Sequence, residues 1–99
     1  MFEVHQSATF RSWLEGLHDR RARARIQARI DRAKLGNLGD LKSLGSGISE
    51  MRIDHGPGYR LYFLRVGRLI IVLLCGGTKR TQTRDIERAT AIAQDWTLR

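Results

Sequence analysis

The sequence predicts an α+β domain with the element order β-α-α-β-β-β-α, its helices packed on one face of a small, largely antiparallel sheet. Two early segments repeat apolar residues at helical spacing, whereas three segments between residues 48 and 75 are typical of strands. A further helical periodicity follows the last strand. A chain of 99 residues is long enough for one domain only, so we expect that domain to span residues 1–99.

A short strand and two helices are predicted in the N-terminal third. Residues 2–5 alternate between apolar and polar side chains, which is typical of a strand. Ser7 is a suitable N-cap for a helix that ends near Gly16, and Asp19 is suitable for a second helix that runs to about Leu35. The apolar residues expected on the inner faces of these helices are Phe10, Trp13, Leu14, Leu17, Ala22, Ile26, Ile30 and Ala33.

Three strands and a last helix are predicted in the rest of the chain. Residues 36–47 contain four glycines and therefore predict a loop. The predicted strands are residues 48–54, 59–65 and 69–75. The third is apolar throughout, which indicates a central strand covered on both faces. A helix with Thr83 as its N-cap is predicted from about Arg84 to Trp96.

The composition is that of a globular protein with a strong positive charge. Hydrophobic residues make up 41% of the chain, and eighteen Lys and Arg against ten Asp and Glu give a net charge of +8. A field of this sign attracts nucleic acid or an acidic protein. The longest apolar run is too short to span a membrane, and the N-terminus lacks the features of a signal peptide. We therefore expect a cytoplasmic protein without a membrane partner.

The sequence does not favour metal or thiol chemistry. Cys75 is the single cysteine and ends an apolar strand, which is typical of a packed thiol rather than a nucleophile. The three histidines are far apart in the sequence and lack ligand spacing, so we expect no metal site and no cofactor. Only His55, beside the Gly-Pro-Gly turn, lies where it could act as an acid or a base.

Strand alternation brings basic and polar side chains onto one face of the predicted sheet. The residues expected to share this face are Glu50, Arg52, Arg60 and Tyr62. Lys79, Arg80 and Gln82 follow the third strand and could lie beside them, and Arg60 is expected to be exposed. Several cations on a rigid sheet could bind a phosphodiester and stabilise the charge of its transition state. The alternative is a solvated strand face with ion pairs such as Glu50–Arg60.

A ridge of arginines is predicted on the second helix. Its members, spaced four residues apart, are Arg21, Arg25 and Arg29. Like charges at this spacing repel one another on an isolated helix. The ridge is therefore typical either of contact with a polyanion or of a solvated helix face, and the sequence leaves both interpretations open.

Four segments, taken in order, carry a family pattern. They are Ser-Glu-Met-Arg-Ile-Asp at 49–54, Gly-Pro-Gly-Tyr-Arg-Leu-Tyr-Phe at 56–63, Ile-Val-Leu-Leu-Cys-Gly-Gly-Thr-Lys at 71–79, and Gln82 with Asp85, Ile86 and Ala89. In this order and spacing they resemble the HigB-like, phage-related branch of the RelE/ParE toxin superfamily, whose members are also called addiction-module killer proteins. The resemblance covers essentially the whole chain.

The resemblance implies a RelE-like fold and the toxin of a type II toxin–antitoxin system. A cognate antitoxin, usually a helix-turn-helix protein from the adjacent gene, neutralises such a toxin. RelE-type and HigB-type relatives cut mRNA on the ribosome without a metal, because the 2′-hydroxyl attacks the adjacent phosphate and one group protonates the leaving 5′-oxygen. The ParE branch binds DNA gyrase and needs no catalytic residues, so a gyrase inhibitor that acts by binding only is the alternative.

The resemblance also implies roles for the basic residues of the sheet. Arg52 and Arg60 match positions used for phosphate binding and transition-state stabilisation, and Lys79 falls in the basic segment after the last strand. Of the neighbouring residues, Glu50 and His55 are the candidate bases.

Residues that could contact RNA lie on the sheet, on the segment after it and on the second helix. Tyr62 is a candidate for stacking on a nucleobase. Arg80, Gln82 and the arginine ridge are candidates for contacts with RNA and the ribosome. Some relatives use a histidine or a C-terminal tyrosine as acid or base, and the tail after Arg80 contains neither residue type.

Overall fold

The computed structural model describes residues 1–97 as alternating helical and extended segments. The first elements are β1 (Glu3–Gln6), α1 (Ala8–Glu15) and α2 (Arg20–Lys34). The strands β2 (Leu41–Gly45), β3 (Ile48–Ile53), β4 (Tyr59–Val66) and β5 (Ile70–Thr78) follow, and a 3₁₀ turn (Lys79–Thr81) leads into α3 (Gln82–Thr97). None of the helices in this part of the chain has the length and apolar character needed to cross a lipid bilayer.

The strands form a mixed sheet in the order β1-β5-β4-β3-β2. β1 pairs in parallel with β5, and the other pairings are antiparallel. The predicted α+β class is therefore correct, but the sheet contains a strand that the sequence did not predict. Residues 41–45, expected to lie in a loop, form β2 and pair with β3 across a turn at Ser46 and Gly47. Both turn residues have positive φ angles, 55° and 79°, which suit a tight hairpin.

The predicted caps of the first two helices are present, and that of the third is not. The Ser7 side chain accepts a hydrogen bond from the Phe10 amide at 3.0 Å, and the Asp19 carboxylate accepts from the amides two and three residues later. Thr83, predicted as the cap of the last helix, lies inside α3. The reason is that the helical segment begins earlier, with a 3₁₀ turn headed by Thr78.

Helices cover both faces of the sheet, which corrects the prediction that they pack on one face. On the first face, α1 and α2 enclose a cluster of Phe10, Ala22, Ile26, Ile30, Ala33, Met51, Ile53, Tyr59, Leu61, Phe63, Ile71 and Leu73. On the second face, α3 encloses Ile48, Tyr62, Leu64, Val72, Leu74, Cys75, Ala89 and Ala93. The physical reason is that β4 and β5 carry apolar residues at successive positions, so that both of their faces must be buried.

Two glycines at the end of β5 allow helices to approach the sheet closely. A β-carbon at Gly76 would overlap the ring of Trp13 in α1, and one at Gly77 would overlap the carboxylate of Asp85 in α3. Asp85 is buried and accepts a hydrogen bond from the hydroxyl of Thr81 at 2.5 Å. The first turn of α3 is therefore held directly against β5, next to the basic residues of β3 and β4.

Candidate functional site

Arg52 and Arg60 lie side by side on one face of the sheet, as strand alternation predicts. Arg52 of β3 and Arg60 of β4 are register partners in the antiparallel ladder, and both side chains approach Glu50. Like charges placed directly opposite each other on paired strands are destabilising. The pair therefore requires a negative charge between its members.

Glu50 is a buried carboxylate that supplies this charge. Its side chain has no exposed surface, and its Oε1 accepts a hydrogen bond from Nε of Arg52 at 3.0 Å and lies 3.6 Å from a terminal nitrogen of Arg60. The amide nitrogen of Gln82 donates to Oε2 at 2.7 Å. Burial acts to raise the pKa of Glu50, but these hydrogen bonds and charges outweigh it and hold the pKa below its ordinary value. The predicted role of Glu50 as a base does not fit this geometry, because both oxygens are engaged and the ionised form is stabilised.

The two arginines open onto a cleft of about 430 Å³ where β3 and β4 meet the segment after β5. Lys79 lines the same cleft, so the three predicted phosphate-binding cations are brought together. The backbone amide of Lys79 donates to the carbonyl of Gly58 at 2.8 Å, which fixes the 3₁₀ turn against the turn between β3 and β4. The remaining lining residues are Arg29, Asp40, Ile53, Asp54 and Gly58.

The two arginines differ in their access to solvent. The Arg52 side chain is 39% exposed, whereas that of Arg60 is 14% exposed, so the expectation that Arg60 is exposed is wrong. Arg60 is covered because Glu50 draws its guanidinium group toward the sheet. Nε of Arg60 is buried and has no hydrogen-bond partner among residues 1–97, which leaves one donor of this side chain unsatisfied.

Tyr62 does not reach the cleft, which corrects the prediction that it stacks on a nucleobase. Its side chain is fully buried beneath α3, packed with Leu74 and Ala89. Burial, together with the negative charges of Glu50 and Asp85, raises the pKa of its hydroxyl. Stacking requires an exposed ring face. The error follows from the position of α3, which covers a face that strand alternation alone predicts to be open.

His55, the predicted acid or base, is not among the residues that line the cleft. Its Nε2 is 3.5 Å from the carboxylate of Asp19, the N-cap of α2. The hydrogen bond from the Ala22 amide lowers the pKa of Asp19, and His55 adds to this effect. His55 therefore links the turn between β3 and β4 to the start of α2.

The predicted arginine ridge is only partly free to bind a partner. Arg21 and Arg25 are exposed on α2. Arg29 instead donates hydrogen bonds to the backbone carbonyls of Arg52 at 2.5 Å and Leu38 at 3.2 Å. Burial lowers the pKa of Arg29. Arg29 thus ties α2 to β3 and to the segment before β2, and it lines the cleft rather than standing free on the helix with Arg21 and Arg25.

Two residues after β5 have different environments. Arg80 is exposed on the 3₁₀ turn, next to Lys79, where it can contact a bound partner. Gln82 is only partly exposed, and its amide nitrogen is engaged with Glu50. The sequence could not reveal this contact within the protein, because the two residues are 32 positions apart.

The environment of Cys75 is that of a structural residue, as predicted. The side chain is buried, its Sγ donates to the carbonyl of Asp85 at 3.3 Å, and burial raises the pKa of the thiol to about 12. Within residues 1–97, no three or more His, Cys, Asp and Glu side chains are grouped so that they could hold a metal ion.

Comparison with known proteins finds a close relative but no described family. No family model matches the chain. An uncharacterized protein of Haemophilus influenzae is 47% identical to it over 93 residues, and the aligned region covers 94% of each of the two chains. Coverage of this extent takes in most of the sheet and helices described above.

Proposed function

The chain belongs to the same family as this Haemophilus influenzae protein, and we propose that it is the toxin of a type II toxin–antitoxin system. The proposed activity is that of a metal-independent, ribosome-dependent endoribonuclease that cuts mRNA in the cytoplasm. The mixed sheet, with α1 and α2 on one face and α3 on the other, supports assignment to the RelE-like fold. The motif pattern supports the HigB-like branch of the RelE/ParE superfamily.

The observation that carries this proposal is the meeting of Arg52, Arg60 and Lys79 at one cleft. Three cations in this arrangement can bind a phosphodiester and stabilise the extra negative charge of a pentacoordinate transition state. The planar guanidinium groups suit paired hydrogen bonds to two phosphate oxygens, and the flexible Lys79 suits the leaving oxygen. The net charge of +8 attracts RNA over a longer range.

In the proposed reaction, the 2′-hydroxyl oxygen of the RNA attacks the adjacent phosphorus. A 2′,3′-cyclic phosphate forms as the bond to the 5′-oxygen of the next nucleotide breaks. Lys79 donates a proton to the departing oxygen. In this proposal, one of the two carboxylates that line the cleft, Asp40 or Asp54, accepts the proton of the 2′-hydroxyl.

Primer extension on transcripts from cells in which the protein is induced tests this proposal. New 5′ ends should appear within translated codons, and growth should stop unless the adjacent gene's product, expected to be a helix-turn-helix antitoxin, is co-expressed. Ends scattered equally through untranslated RNA would contradict the proposal. Arg68→Ala provides a matched control for variants of the cleft, because Arg68 is exposed in the turn between β4 and β5.

A gyrase inhibitor that acts by binding only is the second candidate, and one observation favours it. The residues that line the cleft within the described chain include neither a histidine nor a tyrosine, two residue types that often transfer protons in catalysis. Such a protein would trigger DNA damage signalling and leave mRNA intact. Measuring a DNA damage reporter and primer extension in the same culture distinguishes the two functions.

A further inference from the structure

We infer that Gln82 and Glu50 act together as positioning residues: the amide of Gln82 holds the carboxylate of Glu50, and this carboxylate holds Arg52 and Arg60 at the cleft. The inference rests on the proposed function, since it assigns a role to two residues beneath the same cleft. Neither residue would touch the RNA. Both would act through the arginines.

The contacts divide the two oxygens of Glu50 between α3 and the arginines. Gln82, the first residue of α3, donates to Oε2 at 2.7 Å. Oε1 is left for Arg52 at 3.0 Å and Arg60 at 3.6 Å. A carboxylate whose second oxygen is held in this way cannot rotate without breaking a hydrogen bond, so Oε1 stays directed at the arginines.

The burial of Glu50 makes these contacts interdependent. The side chain has no exposed surface, so water cannot replace a lost partner. Removing one partner of a buried charge is much more damaging than removing a solvent-exposed one. The four side chains are therefore expected to behave as a unit, in which a change at Gln82 is felt at Arg52.

Fixing the arginines in advance matters more for turnover than for binding. Donors that are already in place need no reorganisation as charge develops on the phosphorus. A mobile arginine still attracts RNA, because the long-range attraction depends on its charge and not on its orientation. We therefore expect variants of Gln82 to lose turnover while they retain affinity for RNA.

The test is a double-mutant cycle of Glu50→Gln and Gln82→Glu in the full chain, assayed on ribosomes carrying mRNA. Each single change should lower kcat by about tenfold to a hundredfold, with KM nearly unchanged. Glu50→Gln removes the charged acceptor of the hydrogen bonds, and Gln82→Glu places two carboxylates against each other. The double exchange restores one amide and one carboxylate to the same contact. The kcat of the double variant should be about tenfold higher than the value expected if the two single effects were independent. A kcat equal to that expected value would overturn the proposal.

Two further variants keep the result interpretable. Gln27→Ala is the matched control, because Gln27 donates its amide to Asp31 at 3.0 Å on the exposed surface of α2, and its kcat should be unchanged. Gln82→Ala keeps the carboxylate and removes only its donor, so it remains usable if Glu50→Gln fails to fold. Its kcat should fall about tenfold. An unchanged kcat in folded Gln82→Ala protein would contradict the inference.

A second measurement does not depend on RNA cleavage. The NMR signal of the Arg52 Nε–H group should be sharp in the native protein, because Glu50 accepts its hydrogen bond. It should broaden in Gln82→Ala and stay sharp in Gln27→Ala. If the native protein cuts no mRNA but this difference is observed, the proposed function fails and the positioning role stands. If the native protein cuts mRNA and Gln82→Ala changes neither the signal nor kcat, the positioning role alone fails.

Discussion

Arg52 is the residue whose removal tests the cleft most directly. The Arg52 side chain is 39% exposed. When Arg52 is truncated, Glu50 keeps Arg60 and Gln82 as partners. Arg52→Ala should therefore lower the free energy of unfolding by only about 1–3 kcal/mol. Loss of one transition-state stabiliser should lower the cleavage rate by about 10²–10³. Single-turnover cleavage on ribosomes measures this effect, and an Arg52→Ala protein with native toxicity and an unchanged cleavage pattern would show that the site is wrongly assigned.

Tyr62→Phe tests whether the buried Tyr62 hydroxyl has only a structural effect. The hydroxyl is buried and has no hydrogen-bond partner among the described residues, a state that costs about 1–3 kcal/mol. Its removal should raise the free energy of unfolding by up to about 1 kcal/mol, equivalent to roughly 4–8 °C in Tm. Cleavage should be unchanged. A marked loss of activity in a stable variant would show that the hydroxyl takes part in cleavage.

At the level of single residues, the sequence predicts faces better than it predicts burial. The period of two along a strand places Arg52 and Arg60 together without knowledge of the rest of the fold. The burial of Glu50 and Tyr62 depends on α3, which is joined to them only by contacts distant in sequence. Strand alternation contains no information about such a helix, so the roles assigned to both residues were those of an open surface.

The cap of α2 predicts a dependence of stability on pH. The Ala22 amide, with smaller contributions from Arg21 and His55, lowers the pKa of Asp19 below its ordinary value of 3.8. Because the pKa is lower in the folded state, the stabilisation is complete above the ordinary value and is lost as the pH falls through the lowered one. Asp19→Asn can still cap the helix but cannot ionise. The Tm of this variant should therefore vary less than that of the native protein between about pH 5 and pH 2. If the two plots of Tm against pH are parallel, Asp19 does not contribute to the pH dependence.

The junction of β5 and α3 is expected to tolerate no side chain at position 77. A β-carbon there would overlap the Asp85 carboxylate. Gly77→Ala should lower the free energy of unfolding by about 1–3 kcal/mol, as overpacking generally does, and should displace the first turn of α3. Gly16→Ala is the control, because Gly16 lies at the end of α1 with an ordinary φ of −81°. Denaturant unfolding compares the two variants, and equal stabilities would show that α3 adjusts freely.

At the level of elements, local signals were sufficient for α1 and α2 and insufficient for β2. Both helices carry a capping side chain and a regular apolar face, so their bounds could be predicted closely. The residues of β2 are Leu41, Lys42, Ser43, Leu44 and Gly45. This segment has neither strong alternation of apolar and polar residues nor β-branched residues. It is an edge strand whose backbone pairs with β3, and this pairing rather than its own composition makes it extended.

The charge of the whole molecule predicts strongly salt-dependent RNA binding. Each phosphate neutralised by a cation contributes nearly one unit to the slope of log affinity against log salt concentration. Arg25→Ala on the exposed ridge should reduce that slope by about 1 and leave the rate of the cutting step unchanged. Anisotropy of a labelled RNA with a 2′-deoxy sugar at the cleavage position measures the slope. A slope identical to that of the native protein would remove the ridge from the interface.

For the whole molecule, two predictions from the same sequence were incompatible, and the structure separates them. The apolar run of the last strand indicated cover on both faces, which β5 has. The expectation of helices on a single face would have left one side of that run in water. Burial of apolar surface is the largest favourable contribution to the folding of the whole domain. The apolar composition of β5 was therefore a better guide to the architecture than the polar residues on the neighbouring strands.

The parallel pairing of β1 with β5 links two segments that lie far apart in the sequence. The hydroxyl of Ser7 donates to the carbonyl of Leu74, 67 positions away, and closing so long a loop has an entropic cost that slows folding. A nascent chain that lacks residues 70–82 has neither the partner of β1 nor the side chain that holds Glu50. The cleft is thus completed only after residues 70–82 have been synthesised, and under the proposed function a product interrupted before them would lack the assembled site.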